Sequence, residues 1–234
     1  MKNILFGLSI FSLFLSCSFV NAQSSSEKSA ILNALIDNDR FMKDQLIPLQ
    51  KASHFIPEQL ESFDGLTYFE VDEKWRFFAQ LQRDENQEEI AMTTTDGQSI
   101  SLLRYGSVTI NFSGTMYTLS VFRDQNLPEL SEQPGCLFIP FSDETSGNET
   151  YEGGRYLIVK IPMHGENIQL DFNLAFNPYS AYHLKNKSVL APDENRLPFK
   201  ITAGEKNYQN NQGKSKNLNL RQEIRVKNRK TRKI

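Results

Sequence analysis

The spacing of apolar positions changes three times along the chain. Residues 4–20, ILFGLSIFSLFLSCSFV, carry no charge at all. Residues 24–46 then follow a helical period, with Ile31, Leu32, Leu35 and Ile36 on one face. Ser24 to Ser26 offer N-cap side chains, and Pro48 stops any continuation. A second, short helix is predicted from Pro57, with Leu60 and Phe63 on its inner face. From Leu66 the period becomes two. Strands are predicted at 66–71, 75–83, 88–95, 98–104, 107–112, 115–122, 136–141, 155–161, 168–172 and 198–202, all rich in β-branched and aromatic residues. Asp96-Gly97 and Ser113-Gly114 separate neighbouring runs as two-residue turns, which forces antiparallel pairing. A polar loop is expected at 123–135 and a tight turn at His164-Gly165-Glu166. This pattern predicts a mainly-β domain, an antiparallel β-sandwich or barrel-like fold with N-terminal helices. Beyond residue 206 the apolar signal fades into NYQNNQGKSKNLN.

Charge sharpens the boundaries. The formal net charge is −2, yet residues 214–234 hold nine Lys or Arg against one acid, Glu223, while residues 23–213 hold 16 basic and 27 acidic residues. An acidic domain therefore precedes a basic tail at 207–234, which is expected to be solvated and disordered. The tail's expected contacts are anionic lipid or polysaccharide, and specific nucleic-acid binding is not expected, because no aromatic residue follows Tyr208 for base stacking. At the other end, Met1-Lys2-Asn3 gives a positive start, and Val20-Asn21-Ala22 places small residues at the −3 and −1 positions of a cut before Gln23. Residues 1–22 thus read as a signal peptide. A 17-residue apolar run is at the short limit for a membrane anchor spanning about 30 Å of hydrocarbon. Cys17 offers a second route, as the lipidated first residue of a lipoprotein. The expected location is the periplasm or outside the cell, with residues 23–206 as a single domain. Removal of Cys17 with the leader leaves Cys136, in an apolar run that predicts a buried thiol rather than a nucleophile.

The chemistry-bearing residues concentrate between 137 and 205. They fall into Pro140-Phe141-Ser142-Asp143-Glu144-Thr145-Ser146-Gly147, Tyr151-Glu152-Gly153-Gly154-Arg155-Tyr156, Asp171-Phe172-Asn173-Leu174-Ala175-Phe176-Asn177-Pro178, Ala181-Tyr182, Pro192-Asp193-Glu194-Asn195-Arg196-Leu197 and Ala203-Gly204-Glu205. In these motifs, and upstream in Arg40-Phe41, Phe63 to Phe69 and Thr94 to Gly97, the chain resembles an uncharacterised, largely bacterial family, domain of unknown function 1684. The resemblance spans about residues 35–206 and implies kinship without an activity to carry over. Many relatives have two cysteines where this chain has Ser180 and Ser188, so the resemblance carries over no thiol-dependent function.

Ten residues stand out as ligand-binding candidates: Asp143, Thr145, Tyr151, Arg155, Asp171, Asn173, Asn177, His183, Glu194 and Asn195. Strand alternation puts Asp171 and Asn173 on one face, and Arg155 is the natural bidentate partner for Asp143 or Asp171. The same pairs serve equally well as scaffolding that pins the 142–154 loop to the sheet. The three histidines, His54, His164 and His183, have no ligand spacing, so no metal site is expected, and no cofactor motif is present. Gly153-Gly154 lacks phosphate-loop spacing, and Ser146 lacks the nucleophile elbow. Three functions remain: binding of a small polar ligand, hydrolysis by the same carboxylates, and a structural or adaptor role in the cell envelope.

Mass spectrometry of the exported chain is expected to give a mature start at Gln23; a diacylglyceryl-modified Cys17 overturns this and makes the protein a lipoprotein. Truncation after Gln212 is expected to leave the melting temperature within about a degree. It should also abolish binding to anionic vesicles, which weakens as salt rises. Unfolding on truncation, or binding indifferent to salt, overturns the reading of the tail.

Overall fold

The computed structural model describes residues 9–49, 55–61, 63–123, 135–162 and 166–208. The expectations for His54, for residues 124–134 of the polar loop, for residues 163–165 of the tight turn and for the tail from 209 lie outside them. The chain divides into two units, Met1–Lys43 and Asp44–Ile234. The described residues of the first are helical. Helix α1 runs over Ser9–Leu46 without a break, longer than the 24–46 expected. Residues 9–23 contain neither Pro nor Gly, so nothing in the backbone stops the helix, and the serines at 24–26 lie inside it rather than capping it. A 3-10 turn at Ile47–Leu49 comes next, where Pro48 removes a donor. Among the described residues no helix is long and apolar enough to cross a membrane.

In the second unit, helix α2 is the single turn Pro57–Leu60, with its proline at the start as expected. Among the described residues the chain then forms seven strands: β1 (Arg76–Arg83), β2 (Glu89–Thr93), β3 (Ser99–Phe112), β4 (Thr115–Arg123), β5 (Cys136–Phe141), β6 (Arg155–Lys160) and β7 (Asn167–Asp171). The sheet is antiparallel in the order β6-β5-β4-β3-β1-β7, with β2 beside the first half of β3. The two ends of that order meet. Beyond β7 the chain returns to β6, where Tyr156 N donates to Phe176 O at 2.9 Å and Phe176 N to Tyr156 O at 3.1 Å. The result is a nearly closed, barrel-like sheet rather than a sandwich.

Three expected strand features change. Residues 98–104 and 107–112 form one strand, because a bulge at Arg104/Gly106 carries the ladder through the intervening residues. Gly106 sits at φ 157° so close to β1 that a Cβ would lie 2.0 Å from the Gln82 carbonyl oxygen, so only glycine fits. Residues 66–71 and 198–202 join no ladder, and the chain bends at Pro198 and Phe199. Instead, residues 67–69 lie along 204–206, through Phe69 N to Gly204 O at 2.9 Å and Lys206 N to Thr67 O at 2.7 Å. Pro198 cannot donate to a ladder at the start of its segment.

Strand alternation sends Leu81, Val108, Ile110, Leu119, Val121, Leu137, Ile139, Leu157 and Leu170 into the barrel, with Trp75, Phe172 and Ile201 closing it. Burying each such side chain contributes about 1.5–3 kcal/mol. Strand β5 is buried on both faces. Its odd residues face the barrel, while Cys136 and Phe138 join a second cluster with Met92, Leu102, Phe122 and Tyr156. Burial pushes the Cys136 thiol up, away from the reactive thiolate.

Candidate functional site

The 142–154 loop is a set of turns organised around Thr145, whose carbonyl oxygen accepts from the amides of Asn148, Glu149 and Thr150 at 3.0–3.1 Å. Asp143 Oδ1 accepts from both the amide and the hydroxyl of Thr145. The Thr145 hydroxyl also lies 2.8 Å from that of Thr150. Gly154 ends the loop at φ 90°, where a Cβ would come 2.5 Å from Phe141 O, and β6 then begins at Arg155. Tyr151 is buried, its ring beside Gly153.

Arg155 enters directly opposite Phe141, with its guanidinium 5.3 Å from that ring. Its Nη2 donates to Asp143 Oδ2 at 2.7 Å and to Ile201 O at 3.0 Å. Its Nη1 donates to Ala203 O and to Glu205 O. The side chains of the pair are 1% and 0% exposed. Burial draws the guanidinium below its ordinary value, opposed by the charge of Asp143 and then of Glu205. Of the two expected partners, then, Arg155 takes Asp143.

Glu205 is the member of the site that sequence reasoning missed. It is fully buried, and it accepts from Asn177 Nδ2 at 2.8 Å, Asn177 N at 3.2 Å and Tyr182 Oη at 2.7 Å. Burial and the Glu205 charge push the Tyr182 hydroxyl well above its ordinary value, so it stays a donor. The signal for it is the Ala203-Gly204-Glu205 motif. One network therefore unites Asp143, Thr145, Arg155 and Asn177 with Glu205 and Tyr182.

The remaining candidates lie elsewhere. Asp171 pairs with Arg76 Nε at 2.7 Å, a partner that sequence reasoning missed. Strand alternation ends at Asp171, and the chain turns into a 3-10 helix at Phe172–Leu174, in which Asp171 Oδ1 accepts from Asn173 N at 2.9 Å. Asn173 in turn exchanges two hydrogen bonds with the backbone of Asp72, at 2.9 and 3.0 Å. Asn195 exchanges bonds with Ser120 N at 2.7 Å and Ser120 O at 2.9 Å, and donates to Pro140 O at 2.7 Å. Its carboxamide thus takes the part of a strand between β4 and β5, whose register holds only Phe122 opposite Phe138. Glu194 is at the surface, 3.8 Å from Arg104. His183 Nδ1 accepts from Lys185 N at 3.1 Å, and burial, then the Lys185 charge, lowers its pKa. Ser180 N donates to Ser188 Oγ at 3.1 Å, so the two serines are adjacent.

An open cleft of about 510 Å³ lies beside the network, lined by Asp64, Gly65, Thr67, Asn148, Glu149, Lys206, Asn207 and Tyr208. Lys206 and Asn207 come directly after Glu205, and Asn177 Nδ2 holds Lys206 O at 2.7 Å. Asn207 ties the 142–154 loop down, through its amide to Glu149 O at 3.0 Å and its side chain to Asn148 O at 2.8 Å. Tyr208 packs edge-on against Phe55 and Tyr182. Asn207 and Tyr208 are expected in the tail from sequence, yet both belong to the packed domain. Among the described residues no three His, Cys, Asp or Glu side chains converge as metal ligands.

A nearly closed antiparallel barrel whose irregular end is cross-linked by a buried Arg155–Asp143 pair defines the class of domain. The chain belongs to the family described as Protein of unknown function (DUF1684), whose model matches residues 61–206. It is also similar to the solution NMR structure of an uncharacterized protein from Haloarcula marismortui, at 31% identity over 77% of this chain and 96% of that one, with a TM-score of 0.59. Among the curated proteins nothing matches.

Arg155→Ala leaves Asp143 buried without its counter-charge. It is expected to cost about 3–5 kcal/mol in urea unfolding. Arg155→Lys should recover little of the loss, since an ammonium cannot span a carboxylate and three carbonyls. Unchanged unfolding of either variant overturns the scaffold assignment.

Proposed function

We propose that this chain is an exported binding module that holds a small polar ligand in the cleft beside the Arg155 network. The network itself serves as the rigid wall behind it. The observation that carries this reading is unspent polar capacity in the cleft. Among the described residues, the Asp64 carboxylate, the Thr67 hydroxyl and the Asn148 carboxamide have no hydrogen-bond partner, and the Lys206 ammonium has no ion pair; it lies 4.6 Å over the Phe69 ring. By contrast, Asp143, Asp171, Asn173 and Asn195 spend their polar groups on the fold. A largely preformed concavity with a few converging polar groups is the ordinary form of a ligand site. Hydrolysis by Asp143 or Asp171 has no such support, because each carboxylate is tied to an arginine.

Export through the 1–22 leader belongs to the same reading, with lipidation at Cys17 as its alternative, and so does a basic tail that tethers the domain to anionic lipid or polysaccharide. That tether would start a few residues from the cleft, since Tyr208 lines it. The competing adaptor role draws on Asp143, Asp171, Asn173 and Asn195, whose side chains are engaged within the fold.

A thermal-shift screen of small polar compounds separates the two. A ligand raises the melting temperature by mass action. Asn148→Ala and Lys206→Ala are expected to leave the unliganded melting temperature within about a degree and to cancel that rise. If no compound shifts the melting temperature, or if the rise survives both substitutions, the cleft is not the site and the adaptor role stands.

A further inference from the structure

The lining of the cleft also bears on what it holds. Its charges are mixed, with Asp64 and Glu149 against Lys206. Glu149 is partly engaged by Lys200 at 3.4 Å, which among the described residues leaves Asp64 and Lys206 as the two charged lining residues without an ion pair. An anion meets Asp64, and a cation meets Lys206. Neither sign is selected, which disfavours phosphates and simple amines alike. The groups without a hydrogen-bond partner include both acceptors and donors. A carboxylate accepts, an ammonium donates, and a carboxamide and a hydroxyl do each. Such a set suits a ligand whose own groups are both donor and acceptor at short spacing, which is the chemistry of vicinal hydroxyls.

Tyr208 adds an apolar wall. Its ring is half-buried and braced by Phe55 at 5.1 Å and Tyr182 at 5.8 Å, both near perpendicular. A ring fixed in this way loses little freedom when something packs on it. Burial, with the Asp64 charge adding to it, pushes the Tyr208 hydroxyl above its ordinary value, so the phenol stays a donor. A volume of about 510 Å³ accommodates one or two six-membered rings, and the open mouth leaves room for a longer chain to continue.

We infer that the cleft binds a neutral saccharide, with an apolar sugar face against Tyr208 and ring hydroxyls shared between Asp64 and Asn148. The inference rests on the ligand-binding reading above and specifies its ligand class.

Titration of the ¹⁵N-labelled full chain, monitored by amide shifts, tests it. The probes are cellobiose and N,N′-diacetylchitobiose, with lysine, glutamate and inorganic phosphate in parallel. The disaccharides are expected to move resonances of residues 64–67, 148–149 and 206–208. Asp64→Asn and Asn148→Ala should each raise the half-saturating concentration roughly fivefold or more. Both side chains are exposed, so neither substitution should alter the melting temperature. If lysine, glutamate or phosphate moves these resonances and the disaccharides do not, the saccharide inference fails while the binding site stands. If no probe moves them, the saccharide inference fails, and the thermal-shift screen decides separately whether the cleft binds anything. If disaccharide shifts appear elsewhere, or survive both substitutions, the assignment to this cleft is overturned.

Discussion

A guanidinium removed from water is the constraint around which the irregular half of this domain is arranged. A buried ion costs several kcal/mol unless a counter-charge and hydrogen bonds replace its hydration. Arg155 obtains them from Asp143 and from the carbonyl oxygens of Ile201, Ala203 and Glu205. Three carbonyls from residues 201, 203 and 205 face one planar group, with Gly204 at φ 74° turning the chain between the last two. That segment in turn carries Glu205 into the interior, where Asn177 and Tyr182 must donate to it. The loop before β6, the stretch after β7 and the chain's approach to Tyr208 are thereby locked together at one end of the barrel.

The same constraint explains why so many polar residues lie inside. Buried backbone groups need partners, and the segments beyond β7 have few ladder partners to offer. Side chains replace the ladder at three points. Asn195 bridges β4 and β5 near Pro140, which lacks a donor; Asn173 mimics a backbone pairing with Asp72; Arg155 serves 201–205. A motif set rich in Asp, Asn, Arg and Gly has the composition of a catalytic centre, yet the same residue types are what a non-ladder architecture requires.

How legible each feature is in the sequence depends on how local it is. The hairpins at Asp96-Gly97 and Ser113-Gly114 and the alternation within β1 to β6 depend on neighbours in sequence, and they are readable there. The antiparallel, mainly-β class comes with them. Closure of the barrel is not readable, because it depends on Phe176 meeting Tyr156 across 20 residues of sequence. The bulge at Gly106 reads as a break between strands, since a glycine that permits close approach looks the same in sequence as one that ends a run. The Arg155–Asp143 pair is legible as one of two pairings, and only the fold assigns Asp171 to Arg76. Glu205 escapes selection because an acid next to a glycine at the end of a strand-like run reads as a surface residue. The cleft has no motif at all. Its lining comes from three segments, near 65, 148 and 207, that only the buried network brings together.

This division of labour has a physical basis. Groups that hold a buried network cannot also exchange partners with a ligand, since breaking one of their bonds leaves a charge or a donor unpaired in a medium of low dielectric. Groups at the edge of such a network gain its rigidity without sharing its obligations. Lys206 and Asn207 are one and two residues from Glu205, and Asn148 and Glu149 bond the turn that Thr145 organises. Their backbones are therefore fixed by the network while the side chains of Lys206 and Asn148 remain available to solvent. A site built this way can change its lining at Asp64, Thr67 or Asn148 without disturbing the Arg155 core. The motifs at Asp143, Arg155 and Glu205 then report on the scaffold, and the binding reading proposed above rests on the residues immediately beside them.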